Sequence, residues 1–250
     1  MLNNKMRNGF VLAVVTIMFT LIFLLWGAYV LYGRGACRPV FRFRLGDADE
    51  PNYGPRVIPG FVSREEIAKI LSTSQKRGFA KSLVGNDAED LSTRKSMTCW
   101  LDPTEHPWLQ DIYTRVRSIP ELAEDQATNS SRYEYEQCQV VRYEPGGFYE
   151  EHYDQCHTDE AYCARQVAQF GGPRKWTLII YLTDDFDGGE TYFNKMKLGI
   201  RPSAGDAILF HGLTSDNQYV HPLSLHQGRP VLRGEKYIAN IWVHHDQGLR

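Results

Sequence analysis

The chain has 250 residues, 42% apolar and 23% charged, so it can bury a core and is not globally disordered. Only Lys5 and Arg7 carry charge before residue 33; the remainder, with 26 basic against 30 acidic residues, is a net −4 body that binds polyanions poorly, which excludes nucleic acid as the default partner. Five cysteines, an odd number, exclude a fully paired disulfide scaffold.

Residues 1–9 form a short tail. Phe10 to Tyr32 then runs 23 residues without a charge. As a helix this run is roughly 34 Å long, enough to cross a ~30 Å hydrocarbon core. It is also longer than the ~7–15 apolar residues of a cleaved signal peptide. Residues 10–32 therefore read as a transmembrane anchor, ahead of a cleaved signal or a buried core helix. Lys5 and Arg7 favour a cytoplasmic N-terminus, whereas Arg34, Arg38, Arg42 and Arg44 oppose it, so charge alone does not set the orientation. Residues 33–55 read as a tether, basic first and then acidic and turn-rich, with Gly46, Pro51, Asn52, Gly54 and Pro55. It leads into a first strand near Arg56–Ile58 and a globular domain over 56–250.

Ser63-Arg-Glu-Glu66 is a capping box, with Val62 and Ile67 as its hydrophobic staple. Ile67, Ile70 and Leu71 recur at helical spacing, and Gly78 stops the helix. A second helix is predicted from Pro107 to about Ser118, with Trp108, Leu109, Ile112, Val116 and Ile119 as its apolar stripe. The stretch 61–130 reads as helical support, its apolar residues as core. Asn129-Ser130-Ser131 is a glycosylation sequon that marks a surface loop.

Beyond residue 135 the pattern changes to short β-rich runs: EQCQVVRY, GFYEEHYD, KWTLIIYL, ETYFN, DAILFH and KYIANIWVHH. Their spacing predicts an antiparallel sandwich or barrel, with no helix-length periodic segment between them. Gly188 and Gly189 serve a tight turn before a strand, and Glu190 and Thr191 read as structural or functional alike. Cys99 and Cys138 sit in strand-like apolar runs as inert core or as a pair.

His152-Tyr153-Asp154 places an imidazole and a carboxylate on one face of a strand, because residues i and i+2 point the same way. Two histidines and one carboxylate with open positions form the ligand face of non-haem Fe(II) oxygenases. The third ligand could come from His211, His221, His226, His244 or His245. His226 stands out because Lys236 follows ten residues later, with Gly228, Pro230 and Gly234 allowing a turn between them. A lysine in the apolar run Tyr-Ile-Ala-Asn-Ile-Trp is costly without an anion. A dicarboxylate that chelates the metal at one end would supply that anion at the other. His106, His211, His221 and His245 show no partner in the sequence.

Five motifs occur in order: His152-Tyr-Asp154; Leu-Thr-Asp-Asp-Phe-Asp-Gly-Gly-Glu-Thr at 182–191; Pro-Ser-Ala-Gly-Asp-Ala-Ile-Leu-Phe at 202–210; Ser-Leu-His-Gln-Gly-Arg-Pro-Val at 224–231; and Gly-Glu-Lys236. Together they resemble the prolyl 4-hydroxylases, over about residues 56–250. The resemblance implies a mainly β fold with supporting helices, a double-stranded β-helix (jelly-roll) dioxygenase core. It implies Fe(2+) held by His152, Asp154 and His226, with no catalytic residue beyond the metal site. Lys236 would bind the distal carboxylate of 2-oxoglutarate, with Thr177 and Tyr143 as further hydrogen-bonding positions. Arg94, Ser96, Glu136, Tyr149, Trp242 and His244 would line a peptide groove, Arg94 to Ser96 within a loop. The implied reaction consumes 2-oxoglutarate and O2, with L-ascorbate keeping the iron reduced. It converts peptidyl proline in a Pro-rich or collagen-like protein to 4-hydroxyproline, releasing succinate and CO2. A lysine ten residues after the last iron ligand favours the collagen type over relatives that use arginine. The same chemistry on another residue or a small molecule, a non-catalytic membrane-tethered binding module, and a zinc hydrolase are the alternatives. The resemblance to anchored hydroxylases implies an endoplasmic reticulum membrane with a lumenal catalytic domain.

The stretch 155–175, QCHTDEAYCARQVAQFGGPRK, is longer than in many relatives and flanks the mouth of the implied site. Its Cys156 and Cys163 could pair, stay free, or bind zinc with His157.

Overall fold

The computed structural model describes residues 54–84, 89–129, 132–155, 161–217 and 219–246. The tail 1–9, the run 10–32 and all but the last two residues of the tether lie outside them. No helix among the described residues is long and apolar enough to cross a membrane.

In chain order the strands are β1 (Arg56–Ile58), β2 (Ala80–Lys81), β3 (Arg94–Lys95), β4 (Met97–Leu101), β5 (Arg132–Tyr135), β6 (Cys138–Tyr143), β7 (Phe148–His152) and β8 (Arg174–Tyr181). They continue with β9 (Phe186–Gly188), β10 (Thr191–Phe193), β11 (Leu198–Ile200), β12 (Ala207–His211), β13 (His226–Gly228), β14 (Val231–Gly234) and β15 (Lys236–Asp246). The major sheet runs β1-β12-β8-β15-β6-β4-β2, with β5 also paired to β15; the minor sheet runs β11-β10-β13-β7-β3; β14 and β9 form a two-stranded ribbon. Every described pairing is antiparallel. This is the expected mainly β, jelly-roll-like architecture with few helices.

Alternation along the long central strands separates two cores. On β8, Trp176, Leu178 and Ile180 face one core while Ile179 and Tyr181 face the other; on β15, Tyr237, Ala239, Ile241 and Val243 stand opposite Ile238. The first core lies under the helices and the second between the sheets. Helix α1 (Arg64–Arg77) starts on the predicted capping box: the Glu66 N–H donates to Ser63 Oγ and the Ser63 N–H to Glu66 Oε2. It ends at Gly78, whose φ of 91° needs glycine. Helix α2 (Leu109–Arg117) buries Leu109, Ile112, Tyr113 and Val116 in the first core, as the predicted stripe requires.

Three expectations change. The stretch 61–130 is not wholly helical: β2, β3 and β4 lie within it, and Met97–Leu101 is a short apolar run captured between β6 and β2. Asn129 ends helix α3 (Pro120–Asn129) rather than sitting in a loop, and the remaining sequon residues lie outside the described ones. Pro120 opens that helix, where its missing N–H has no helical acceptor to lose. Helix α4 (Ala161–Phe170) interrupts the β-rich half. Its Ala and Gln residues are good helix formers, and Gly171, at φ 77°, ends it with an N–H donated to Val167 O. Gly188 and Gly189 adopt the left-handed region, as the predicted turn demands.

Candidate metal centre and adjoining groove

His152 closes β7 and His226 opens β13, and the two are direct cross-strand partners. Side chains opposite each other in an antiparallel pair stand about 4.5–5.5 Å apart at Cβ, which brings the imidazoles together, with ring centroids at 4.3 Å. Asp154 follows β7 by two residues. His152 Nε2 lies 3.6 Å from Asp154 Oδ1, and His226 Nε2 lies 3.9 Å from Asp154 Oδ2. The three ligand atoms fall within 4.8 Å of one another, the one such His/Cys/Asp/Glu group among the described residues.

Each imidazole is oriented from behind. His152 Nδ1 lies 2.7 Å from Glu150 O and His226 Nδ1 lies 2.9 Å from Ser224 O. A carbonyl only accepts, so both Nδ1 atoms carry the proton and both Nε2 lone pairs face Asp154. Tyr149 stacks on His152 at 3.6 Å, and the Arg94 guanidinium lies 4.5 Å over the Tyr149 ring. Phe210 meets His226 edge-on at 4.9 Å. Burial, aided by His152, lowers the His226 imidazolium to about 4, which keeps it neutral and fit to bind a metal. Burial would raise the Asp154 carboxyl, but the neighbouring His226, His152 and Arg174 outweigh it and hold it well below the ordinary carboxylate range. Thr177 Oγ1 donates to Asp154 Oδ2 at 2.7 Å. Two neutral nitrogens and one carboxylate, with one side open to a cavity, fit a divalent iron of the facial-triad type.

That cavity, of about 880 Å³, also contains Lys236. Lys236 is 2% exposed, opposite Tyr143 on β6. Its Nζ donates to Gly189 O at 2.7 Å and lies 5.3 Å and 5.1 Å from the Tyr143 and Tyr181 ring centroids. Among the described residues it has no carboxylate within ion-pair distance. Burial brings it down to about 7, against a smaller opposing influence of Glu190. Tyr143 is a second wall of this deep end; burial raises its hydroxyl against smaller opposing influences of Arg94 and Ser96.

The other groove positions separate into those that line the cavity and those behind it. Arg94, Tyr149, Glu136 and Trp242 line it. Arg94 is in strand β3, not in a loop, and is tied to Ser96 Oγ at 3.0 Å. Ser96, Thr177 and His244 do not line it. The Ser96 hydroxyl donates to Ser82 Oγ at 2.7 Å, Thr177 serves Asp154, and His244 is fully buried. His244 Nδ1 meets Gly172 O at 2.8 Å and Nε2 meets Glu136 Oε1 at 2.6 Å, while its ring stacks on Phe170 of α4. The alternation that puts His244 on the inner face thus makes it a support for Glu136.

Sequence reasoning missed Arg174. It donates from Nε and Nη2 to the two Glu136 oxygens, and from Nη1 to Asp154 O at 3.1 Å; its guanidinium covers the Trp242 ring at 3.9 Å. Burial would raise the Glu136 carboxyl, yet Arg174 and His244 hold it at about 2. A charged residue opening the fully buried strand β8 was the available signal. Thr191, structural or functional alike from the sequence, pairs its hydroxyl with Tyr181 Oη at 2.8 Å and lines the Lys236 end. Cys99 and Cys138 are free and buried, as inert core. Cys156, His157 and the Cys163 side chain fall outside the described residues.

The 2OG-Fe(II) oxygenase superfamily profile matches residues 138–244, which contain the triad and Lys236. Prolyl 4-hydroxylase 1 of Arabidopsis thaliana is 31% identical over 212 residues, covering 77% of this chain and 70% of its own. The viral collagen prolyl hydroxylase of Paramecium bursaria Chlorella virus-1, solved as its 2OG complex, is 29% identical with a TM-score of 0.62, covering 80% of this chain and 99% of its own. A Trichoplax adhaerens prolyl hydroxylase, solved with a hypoxia-inducible-factor peptide fragment, shares the fold at TM-score 0.57 and 19% identity, over 80% of this chain and 86% of its own. With its two histidines and one aspartate on neighbouring strands and its buried lysine in the same cavity, the chain belongs to the prolyl 4-hydroxylase family of 2OG-Fe(II) oxygenases.

Proposed function

We propose that the protein is a proline 4-dioxygenase acting on peptidyl proline in Pro-rich or collagen-like chains, with 2-oxoglutarate and O2 as cosubstrates and succinate and CO2 as coproducts. The observation that carries this reading is the meeting, in one cavity, of the His152–Asp154–His226 face and a buried lysine without a carboxylate. Fe(II) bound by these three residues supplies, with its cosubstrates, the oxidation of an unactivated C–H bond, and ascorbate keeps it reduced. The residues of the chain bind and orient. His152 and His226 present Nε2 because Glu150 O and Ser224 O hold the opposite nitrogens. Asp154 supplies the anionic ligand, steadied by Thr177. Lys236 offers its ammonium to the distal carboxylate of 2-oxoglutarate, and the apolar walls around it exclude water. Arg94, Tyr149 and Trp242 offer cationic and aromatic surfaces to an extended peptide, the preformed shape of a Pro-rich chain.

Residues 10–32 would anchor this domain to a membrane, with the lumen of the endoplasmic reticulum as its compartment. The uncharged length of that run supports the anchor, and protease protection of the domain in intact microsomes tests its side.

The deciding assay follows succinate from the full chain with Fe(II) and ascorbate, with and without a Pro-rich peptide. Peptide-stimulated succinate and a gain of one oxygen atom on proline are expected, both lost in His152→Ala. Succinate without peptide oxidation would discard the substrate assignment, and no succinate from iron-loaded protein would discard the chemistry.

A further inference from the structure

Asp154 is the one member of the metal face that no strand holds. β7 ends at His152, so its ladder with β13 fixes both imidazoles and leaves the aspartate two residues beyond the last strand position. Its carbonyl accepts from Arg174 Nη1 at 3.1 Å and its Oδ2 from Thr177 Oγ1 at 2.7 Å. The residue that follows, Gln155, has a long polar side chain yet is only 2% exposed. Its amide reaches Gly212, the residue after β12, and fills the place where a side chain at 212 would begin: a β-carbon added there would overlap the Gln155 amide. The Gly212 backbone lies outside the left-handed region, so its conformation suits an alanine equally well. The close approach of Gln155 is therefore what this position needs a glycine for.

Gly212 is also a junction. Its N–H donates at 2.7 Å to the carbonyl of Lys175, the residue after Arg174, and its own carbonyl accepts from the His221 N–H at 3.0 Å. His221 caps the short turn Pro222–Ser224: its Nδ1 accepts from the Leu223 N–H at 3.2 Å, and its carbonyl accepts from Ser224 Oγ at 2.8 Å. Ser224 O in turn accepts from His226 Nδ1 at 2.9 Å. One backbone position thus meets the chain just after Asp154 and the turn that aims His226.

We infer that Gln155 is a positioning residue for the metal: its amide, seated against the bare Cα of Gly212, ties the backbone of Asp154 to the turn that carries His226, so that the carboxylate stands where the two Nε2 atoms converge. The inference rests on the metal centre assigned above and adds to it a residue that contributes no ligand atom. Arg174 and Thr177 restrain the carbonyl and the carboxylate of Asp154. Gln155 restrains the chain that leaves it, where the ladder has already ended.

The experiment titrates the metal-free full chain with Co(II) and reads both the dissociation constant and the visible d–d bands, whose positions report ligand geometry. Gly212→Ala drives the amide from its seat and Gln155→Ala removes it. Each should weaken Co(II) binding by about tenfold or more, the worth of a residue that orients a metal ligand, and shift the bands. The decisive variant carries both substitutions. With the amide gone the new β-carbon meets no clash, so the double variant should bind Co(II) no more weakly than Gln155→Ala alone, whereas two independent losses would multiply to about hundredfold. Circular dichroism identifies the variants that fold, and if Gly212→Ala does not, recovery of the fold in the double variant supports the same seat. Wild-type affinity and bands in Gln155→Ala would overturn the inference, as would multiplied losses in the double variant, which mark two separate packing defects. A wild type that binds no Co(II) would overturn the metal centre itself, and the inference with it.

Discussion

The two faces of β8 and β15 are made by the same strands and are both buried, yet one is apolar while the other mixes apolar Ile179, Tyr181 and Ile238 with polar side chains. Outward, toward the helices, stand Leu178, Ile180, Ala239, Ile241 and Val243. Inward stand Thr177, Lys236, Asn240, Trp242 and His244, all below one-tenth exposure. The outer face is held by area and packing alone. The inner face holds polar groups that must each find a partner in a medium where an unpaired one is costly. Most of them do: Thr177 on Asp154, and His244 on Glu136, which Arg174 also clamps. Those left over are the Trp242 N–H and the Asn240 Oδ1, both buried without a partner, and the Lys236 ammonium, which has a carbonyl but no carboxylate and points to an anionic ligand. The major sheet therefore carries the core under the helices on one side and lines the cavity with the other, while the metal face stands opposite on β7 and β13 of the minor sheet.

That division is broken most severely at Asp154. Asp154→Asn keeps the shape and the Thr177 contact but removes the anionic ligand. Iron loading and hydroxylation should fall by more than ~100-fold, beyond the range seen for ligand-supporting residues, while the thermal midpoint stays near wild type. Metal content after dialysis and succinate yield read the outcome, and retained turnover would refute the ligand assignment. The mirror experiment lies on the outer face. Ile241→Ala empties a fully buried site under the helices and should destabilise the fold by about 2–5 kcal/mol. Denaturant midpoints read that loss, while the KM for 2-oxoglutarate of the remaining folded protein should not move. A change in KM would mean that the two faces are coupled through the sheet.

The same contrast explains what was legible in the sequence. The strands of the β-rich half, the capping box of α1 and the stripe of α2 are local signals, written by period and punctuation. The triad could be read because an HxD pair on a strand has fixed sides and because the ordered motifs resembled a family; His226 stood out only through its spacing to Lys236. Arg174 was invisible because its importance lies in partners far along the chain, Glu136 and Trp242. His244 came to the groove through the resemblance, which carries over a position but not what lies in front of its side chain; here that is Phe170 and Glu136. Helix α4 was hidden in a stretch whose apolar residues are too few for a strong period, and β4 because one short run decides nothing until its neighbours capture it.

Lys236 sharpens the comparison, since it is an inner-face group left without its counter-ion. Lys236→Met keeps the length and removes a buried cation. By analogy with buried ion pairs replaced by apolar side chains, the ligand-free protein should become more stable by about 1–4 kcal/mol. Its affinity for 2-oxoglutarate should collapse in parallel. Calorimetry with and without the cosubstrate measures both, and a variant destabilised in the ligand-free state would show that the ammonium is already satisfied by Gly189 O and the two tyrosine rings.

The smallest effect is a pH dependence with opposite signs in two measurements. Burial lowers Lys236 from 10.5 to about 7 in the folded chain. Between those values the unfolded chain holds a proton that the folded one has released, so ligand-free stability should rise with pH across that window. Binding of 2-oxoglutarate should run the other way. The distal carboxylate needs the protonated lysine, so affinity is fully present below about 7 and falls by up to about tenfold per unit above it. The groups packed around the ammonium do not supply this profile. Burial raises the hydroxyls of Tyr143 and Tyr181 above their ordinary range, and Gly189 offers only a carbonyl. Titration calorimetry from pH 6 to 9 should therefore show the loss of affinity in the wild type and a flat profile in Lys236→Met; a wild-type affinity that is itself flat would place the carboxylate somewhere other than on Lys236.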